Sequence, residues 1–469
     1  MNIQTHTSTR TLTRAAKVCE IIRSQIASRS LGVGERLPSI RNLAQTLKVS
    51  PSTVVDAYDQ LVADGVIYAR RGAGFYVADL VQPFDITEVS PQVDRAIDPF
   101  WVSRQSLGSD RHALKPGCGW LPADWMPNSS IRKAMRKLSR ADDKILSNYG
   151  QTHGSQNIRR WLSRQFSDEG LSVDPEKILL TPSGTQAIDL ICRFLLRAGD
   201  TVLVDDPCYF NFQALLRAHQ VNIIAVPLTK NGPDLPAFEQ ALIAHKPRLY
   251  LTNSALQNPT GLTLSPKTAH KILSLADAHD LIIVEDDIFA SLEPEPSTRM
   301  ASLDGLERVI RIGSFSKTLS ASLRCGYIVA RPDWVDGLID LQIAINFGGS
   351  SPVASELIYA TLSDGSYRKH LDGLRTRLDK KRHEIADKLS AIGIEPWLMP
   401  RGGFYLWCQL PEGVDSAKLA RFAMGQNIVL APGNVFSTSQ SMASFMRFNV
   451  SQMESSKIFK VLREGISSL

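Results

Sequence analysis

Between residues 177 and 330 the chain alternates short apolar, β-branched runs with segments of helical periodicity. The runs are KILLT (177–181), TVLVDD (201–206), NIIAVPL (222–228), RLYLTN (248–253), LIIVEDD (281–287), RVIRIGS (308–314) and CGYIVA (325–330). Short continuous apolar runs read as strands covered on both faces. Helices between them act as crossovers, so the pattern predicts an α/β domain with a largely parallel sheet. Ligands in such sheets collect at the carboxyl ends of the strands, which makes the residues after each run the first candidates for chemistry. With 43% hydrophobic and 21% charged residues in 469, the chain has a globular composition and the length for a large core, not that of a disordered, collagen-like or coiled-coil protein. No apolar run approaches the roughly 18 residues of a membrane helix. The polar start MNIQTHTSTR lacks the apolar centre of a secretory signal. Six scattered cysteines (Cys19, Cys118, Cys192, Cys208, Cys325 and Cys408) form no CxxC pair and no metal spacing, which reads as reduced thiols in a cytoplasmic protein without a metal site.

Charge divides the chain unevenly. Residues 1–78 hold ten Lys/Arg against five Asp/Glu, so +5 of the net +6 lies there. A basic front module suggests an anionic partner, nucleic acid among the candidates. Its helical patterns are short. Ala15, Val18, Cys19, Ile22 and Ile26 have helical spacing; Ile40, Leu43, Ala44 and Leu47 share a second face. After a tight turn at Lys48-Val49, Ser50 can cap a third helix with Pro51 at its first position, ending at Asp64-Gly65. VIYARR and GFYVAD, joined through Gly72-Ala73-Gly74, read as a hairpin. Three helices and a hairpin make a winged helix-turn-helix pattern. Short donors at the start of the third helix, Ser50, Ser52 and Thr53, are suited to base edges and phosphates, with Arg41 beside them and Arg71-Gly72 at the wing tip.

The stretch LGVGERLPSIRNLAQTLKVSPSTVVDAYDQLVADGVIYARRGAGFYV resembles the GntR family of bacterial repressors nearly end to end. The resemblance implies double-stranded DNA as partner, with contacts at the same places. It departs from the family at Pro51 and Val55, two positions of the third helix that are often Arg. That puts more weight on phosphate contacts, the wing or a second protomer. Residues 79–107 contain three prolines within VQPFDITEVSPQVDRAIDPF and no sustained period. They read as a linker between a head, 1–78, and a large domain, 108–469.

Four motifs follow the apolar runs. TPSGTQAIDL places Ser183, Gly184 and Thr185 between a strand and a helix, compatible with a phosphate cradle or an ordinary turn. VEDD sets Asp286 and Asp287 at a strand end, as a solvated turn, metal ligands or a functional carboxylate. GSFSKTLSASLRCGY holds Lys317 between serines, with Arg324 seven residues on. LQNPTG holds Asn258.

In order and spacing these motifs resemble the fold-type I aminotransferases that use pyridoxal 5'-phosphate (PLP), from about Lys115 to the C-terminus. The resemblance implies that Lys317 joins the cofactor aldehyde and that Asp286 keeps the pyridine nitrogen protonated. Ser183, Gly184, Thr185, Ser314 and Arg324 would hold the phosphate. Tyr209 would stack on the ring, and Asn258 would donate to its 3-oxygen. Tyr149 matches a tyrosine that reaches the phosphate from a partner subunit, and Arg447, in FMRFNVS, matches the arginine that holds a substrate carboxylate.

A winged head followed by such a domain is the layout of MocR-type regulators within the GntR family. This implies a homodimer that binds an operator and responds to PLP or a small amino compound. The alternatives are an active aminotransferase of α-amino acids that keeps a DNA-binding head, and a DNA-binding protein with a merely structural PLP site. Two departures bear on the choice. The tyrosine usual two or three residues after the ring-nitrogen aspartate is absent, because positions 288 and 289 are Ile and Phe. A second arginine that could clamp an ω-carboxylate is absent at Asn211.

Overall fold

The computed structural model describes residues 13–27, 31, 34–70, 73–78, 99–108 and 112–469. Arg71, Gly72 and linker residues 79–98 lie outside them. The chain divides into two compact units, at residues 88 and 89.

The head contains α1 (Arg14–Ala27), α2 (Ile40–Leu47), α3 (Pro51–Ala63) and a hairpin of β1 (Ile67–Arg70) and β2 (Gly74–Val77). Ser39 caps α2 by accepting from the Asn42 amide at 3.3 Å, and Ser50 caps α3 by accepting from Thr53 at 3.2 Å. The turn between them passes through Lys48 in the left-handed region (φ 52°). Val18, Ile22, Leu43, Val54, Ala57, Tyr58 and Leu61 form the centre of the core, so the faces expected from spacing are the faces buried. The Tyr58 hydroxyl donates to the Pro38 carbonyl at 2.7 Å and fixes α3 against the start of α2. In the hairpin, Ile67 stands opposite Val77 and Arg70 opposite Gly74.

The large unit opens earlier than its sequence suggests. Pro99–Gly108 forms a helix, α4, where an aperiodic linker was expected to reach residue 107. Val102 of α4 enters the large unit's core, and the Lys115 ammonium donates to the Ser106 carbonyl at 3.0 Å. Among the described side chains of α4, the buried Val102 and the tied helix end supply this anchoring, and neither needs an amphipathic period.

All seven expected strands form: β3 (Ile178–Thr181), β4 (Thr201–Asp206), β5 (Asn222–Thr229), β7 (Leu249–Thr252), β8 (Ile282–Asp286), β9 (Val309–Ser314) and β10 (Gly326–Val329), with a short β6 (Gly232–Pro233) at the edge. The sheet order is β3-β10-β9-β8-β7-β4-β5-β6. β4 is parallel to β5 and β7, β7 to β8, and β8 to β9; β10 is antiparallel to both its neighbours. Residues of the central strands are buried on both faces, as their continuous hydrophobicity requires. The chain then builds a second, antiparallel sheet from β11 (Glu395–Pro396), β12 (Tyr405–Gln409), β13 (Ala431–Pro432) and β14 (Phe445–Asn449), in the order β11-β12-β14-β13. Among the described residues no helix is long and apolar enough to cross a membrane, and none of the six buried cysteines is bridged.

Candidate cofactor site and nucleic-acid face

The carboxyl ends of the parallel strands converge as expected. β3 ends at Thr181, and Ser183 caps the helix Gly184–Leu195 by accepting from Gln186 at 3.1 Å. The first amides of a helix have no intrahelical acceptor and so favour an anion. A methyl group on Gly184 would lie 3.9 Å from Ser314 Cβ and 3.8 Å from Ile288 Cδ1, so the helix end, the end of β9 and residue 288 meet. The Ser314 hydroxyl donates to the Cys325 carbonyl at 3.0 Å, and its oxygen lies 2.8 Å from Ser316 Oγ. Thr185 and Arg324 are exposed at this end. Arg324 occupies the left-handed region (φ 47°), as the close approach of β10 to the helix end demands. A Cβ on Gly326 would stand 2.6 Å from the Ser183 carbonyl carbon.

Near this end lie Asp286, the last residue of β8, and Asp287, which follows it. Asp286 is 6% exposed, and its carboxylate accepts from the Ile288 amide at 3.1 Å, while Asn253 donates to its backbone carbonyl at 2.9 Å. Burial pushes its pKa up to about 7, against the hydrogen bond from Ile288. Asp287 is neither solvated nor a metal ligand. Its carboxylate sits between Arg299 at 2.8 Å and Arg311 at 2.5 Å, which pair onward with Glu293 and Glu169. Among the described residues no cluster could hold a metal.

Lys317 follows β9. Its ammonium donates to the Gly119 carbonyl at 2.6 Å, and burial, with the Arg447 charge nearby, pulls its pKa down to about 8. That value gives a substantial free-amine fraction near neutral pH, the form needed to attack a carbonyl. Tyr209, after β4, packs its ring against Phe210 and Phe212; burial pushes its hydroxyl pKa up, with the Asp286 charge adding to the rise and the Arg447 charge opposing it.

Arg447, on β14, is 1% exposed. It donates to Asn258 Oδ1 at 2.7 Å and to the Gly117 carbonyl at 2.6 Å, and its guanidinium lies over the rings of Tyr405 and Phe436 at 4.2 and 4.8 Å. Its Nε has no hydrogen-bond partner, and both its acceptors are neutral. A buried cation served only by neutral acceptors is incomplete; a carboxylate would complete it. Asn258 spends its amide oxygen on Arg447, which leaves its amide nitrogen as the donor for a ligand.

Two carbonyls of KPGCG (115–119) therefore hold Lys317 and Arg447, a contribution the sequence motifs did not reveal. The segment runs beside the small sheet, with the Gly117 amide donating to Val429 at 2.9 Å and Asn449 donating to Pro116 at 2.7 Å. A Cβ on Gly117 would lie 2.4 Å from the Leu430 carbonyl carbon. The Gly-Cys-Gly sequence was the available signal.

Tyr149 is not brought to the phosphate end. It is 76% exposed, with its ring edge-on to Phe347, itself 68% exposed. Asn211 is the second residue of the helix Phe210–Ala218, which Tyr209 precedes.

In the head, Arg41, Ser50 and Ser52 are exposed and Thr53 is half-buried. Ser50 Oγ lies 2.9 Å from Ser52 Oγ and 2.7 Å from Thr53 Oγ1, so the candidate hydroxyls already form one cluster at the start of α3. Val55 is 38% exposed on the same helix, an apolar group among them.

Residues 123–464 match the model of aminotransferase class I and II, and residues 14–77 match that of bacterial regulatory proteins, gntR family. The chain is 29% identical to the HTH-type transcriptional regulator YdcR of Escherichia coli over 92% of this chain and 94% of that protein. It is 26% identical to the HTH-type transcriptional regulator NorG of Staphylococcus aureus over 86% and 93%. Among solved structures it is similar to the kynurenine aminotransferase of Pyrococcus horikoshii in complex with PMP (TM-score 0.73, 24% identity, 83% of this chain and 98% of that one). An archaeal alanine:glyoxylate aminotransferase aligns with TM-score 0.71 and 25% identity over 81% and 95%. PLP is the cofactor this fold implies, and the residues present fit it: a half-buried lysine of lowered pKa, a buried carboxylate at the end of the neighbouring strand and an open helix end beside Ser314 and Arg324. The chain belongs to the aminotransferase class I and II family, and ahead of that domain it carries a head, residues 14–77, that matches the gntR family of bacterial regulatory proteins.

Proposed function

We propose that this regulator senses an α-amino acid or a related small amine through its PLP site and transmits its occupancy to operator DNA. The observation that carries this reading is Arg447, a fully buried guanidinium with an unpaired Nε and no carboxylate partner among the described residues. Bound PLP supplies an aldehyde for a primary amine and an electron-withdrawing ring. The protein's own residues do the rest. Lys317 presents its amine, Asp286 holds a carboxylate for a ring nitrogen, and Ser183, Gly184, Thr185, Ser314 and Arg324 bind the phosphate. Tyr209 covers the ring, and Asn258 donates to its 3-oxygen while its carbonyl orients Arg447. With Asn211 in place of a second arginine, the site favours one α-carboxylate over an ω-carboxylate.

The exposed pair Tyr149 and Phe347, with Leu146 and Ile345 also exposed, supports burial against a second copy of the chain, where Tyr149 would serve the partner's phosphate end. In the head, Arg41, Ser50, Ser52 and Thr53, with Arg71 and Gly72, form the DNA face. Free buried thiols and a DNA partner fit a cytoplasmic protein. The units assigned are a head at 1–78, a connecting segment, and a PLP-binding part that takes in α4.

The test is footprinting of the DNA upstream of this gene and its neighbour, with and without PLP and a panel of amino acids. A footprint that changes with PLP or an amino acid is expected; one indifferent to both ends the sensing reading. A second reading, turnover as an aminotransferase, draws on the completeness of Lys317, Asp286 and Arg447. Sustained conversion of an amino acid to its oxo acid would favour it.

A further inference from the structure

The phenol absent at positions 288 and 289 has a structural counterpart elsewhere. Ile288 points toward Gly184, at the phosphate end. Phe289 is 3% exposed; its ring centroid lies 5.9 Å from Lys317 Nζ, so position 289 faces the lysine without a hydroxyl to offer. Packed on Phe289, with ring centroids 5.6 Å apart, is Tyr405 at the start of β12. We infer that Tyr405 supplies, from the small sheet, the phenolic hydrogen-bond donor at the Lys317 end of the site that positions 288 and 289 lack. The inference rests on the PLP site proposed above.

Gly119 defines the geometry. The space its missing side chain would fill is bordered by Tyr405 Oη at 3.2 Å and Lys317 Nζ at 3.9 Å. The glycine leaves open a slot that the phenol and the amine share. Tyr405 is 4% exposed, and its hydroxyl bonds to no group among the described residues. The hydroxyl oxygen is not sealed off with the ring; it opens into this slot, where an acceptor of a bound ligand could take its hydrogen bond. The ring is fixed on three sides: by strand pairing of Tyr405 with Asn449, by Phe289 and Phe404, and by the Arg447 guanidinium at 4.2 Å. Burial pushes the Tyr405 pKa well above the ordinary phenol value, although the Arg447 charge opposes this, so the group stays an O–H donor at neutral pH. With PLP bound through Lys317, the lysine nitrogen and the cofactor's 3-oxygen would compete for one proton. A donor to that oxygen favours its anion and lowers the affinity of the lysine nitrogen for the proton. Tyr405 would do this beside Asn258, from another strand than the one that usually carries the phenol.

The experiment titrates the visible absorbance of the PLP-loaded full chain against pH, after borohydride reduction and peptide mapping have located the adduct. Tyr405→Phe keeps the ring and its packing. It should raise the midpoint by about one pH unit, a tenfold gain in proton affinity, and Phe289→Tyr in that background should bring the midpoint back down. Gly119→Ala, whose methyl would crowd the hydroxyl, should shift it upward as Tyr405→Phe does, and serves if the latter does not fold. An adduct on Lys317 with an unchanged midpoint in Tyr405→Phe overturns the proposal. So does an effect confined to amino-acid affinity, which would assign the hydroxyl to the carboxylate pocket. No adduct on Lys317 in the parent protein overturns the PLP reading itself.

Discussion

The DNA-facing groups of the head and the cofactor groups of the large unit are built in opposite ways. Arg41, Ser50 and Ser52 stand in solvent on short helices, with hydroxyls that bond mainly to one another. Lys317, Asp286 and Arg447 are enclosed, each held by groups from distant parts of the chain. A polyanion is met across a wide, wet surface, where charge acts by displacing counterions and no group needs a shifted pKa. A small amine is recognised by groups stripped of water, where each hydrogen bond and charge has a large effect. The same division sets where single substitutions should matter.

The largest effect should come from Arg447→Ala. Truncating a buried charge that grips a ligand carboxylate costs about 2–5 kcal/mol, so the affinity for α-amino acids, measured by spectral titration of the PLP-loaded protein, should fall at least about thirtyfold. Operator affinity without amino acid should hold. Equal loss for an ω-amino acid lacking an α-carboxylate would break the assignment.

Arg41→Ala should act on the other side of the comparison. If Arg41 reads a base, operator binding should weaken by about 1–3 kcal/mol; if it meets a phosphate, the loss should be uniform across sequences and the salt dependence should drop by about one charge. PLP uptake should be untouched. A variant that binds operator as tightly as the parent in both salt series would remove Arg41 from the interface.

The smallest effect concerns pH and the cofactor-free protein. Asp286 titrates near 7 when folded and near 3.8 when exposed. Between those values the unfolded chain has lost the proton that the folded one keeps, so stability falls as pH rises through this window. The slope is at most about 1.4 kcal/mol per pH unit. Asp286→Asn should flatten that segment of the stability profile in denaturant titrations at several pH values. An unchanged slope would mean that the buried carboxyl is ionised throughout. Arg41→Ala should keep the slope of the parent, because Asp286 is intact in it.

Periodicity alone made the head and seven of the eight strands of the large sheet legible. Apolar faces at helical spacing and unbroken β-branched runs are local consequences of burial, and a short window of sequence records them. The placing of Lys317, Asp286 and the Ser183–Thr185 turn at strand ends was legible for the same reason: Asp286 closes β8, and the other two lie just beyond β9 and β3. Three things were not. The helix Pro99–Gly108 has no amphipathic signal and forms against neighbours far along the chain. The roles of Gly117 and Gly119 come from their carbonyls, which no side-chain motif records. Tyr405 lies more than a hundred residues from the position whose hydroxyl it replaces.

What the sequence by itself determined is the set of local structures and the chemistry held within one strand end: a winged helical head, a parallel α/β sheet, a lysine and a carboxylate at neighbouring edges. Tertiary structure alone decided which groups share a space. It buried Arg447 without a counter-charge, tied it to Asn258 and Gly117, kept Tyr149 out of its own chain's site, and set the Tyr405 hydroxyl and Lys317 around one missing side chain. The physical reason is range. Hydrophobic periodicity and capping act over one or two turns of chain, whereas desolvation and charge pairing depend on every group that packs nearby, whatever its distance in sequence.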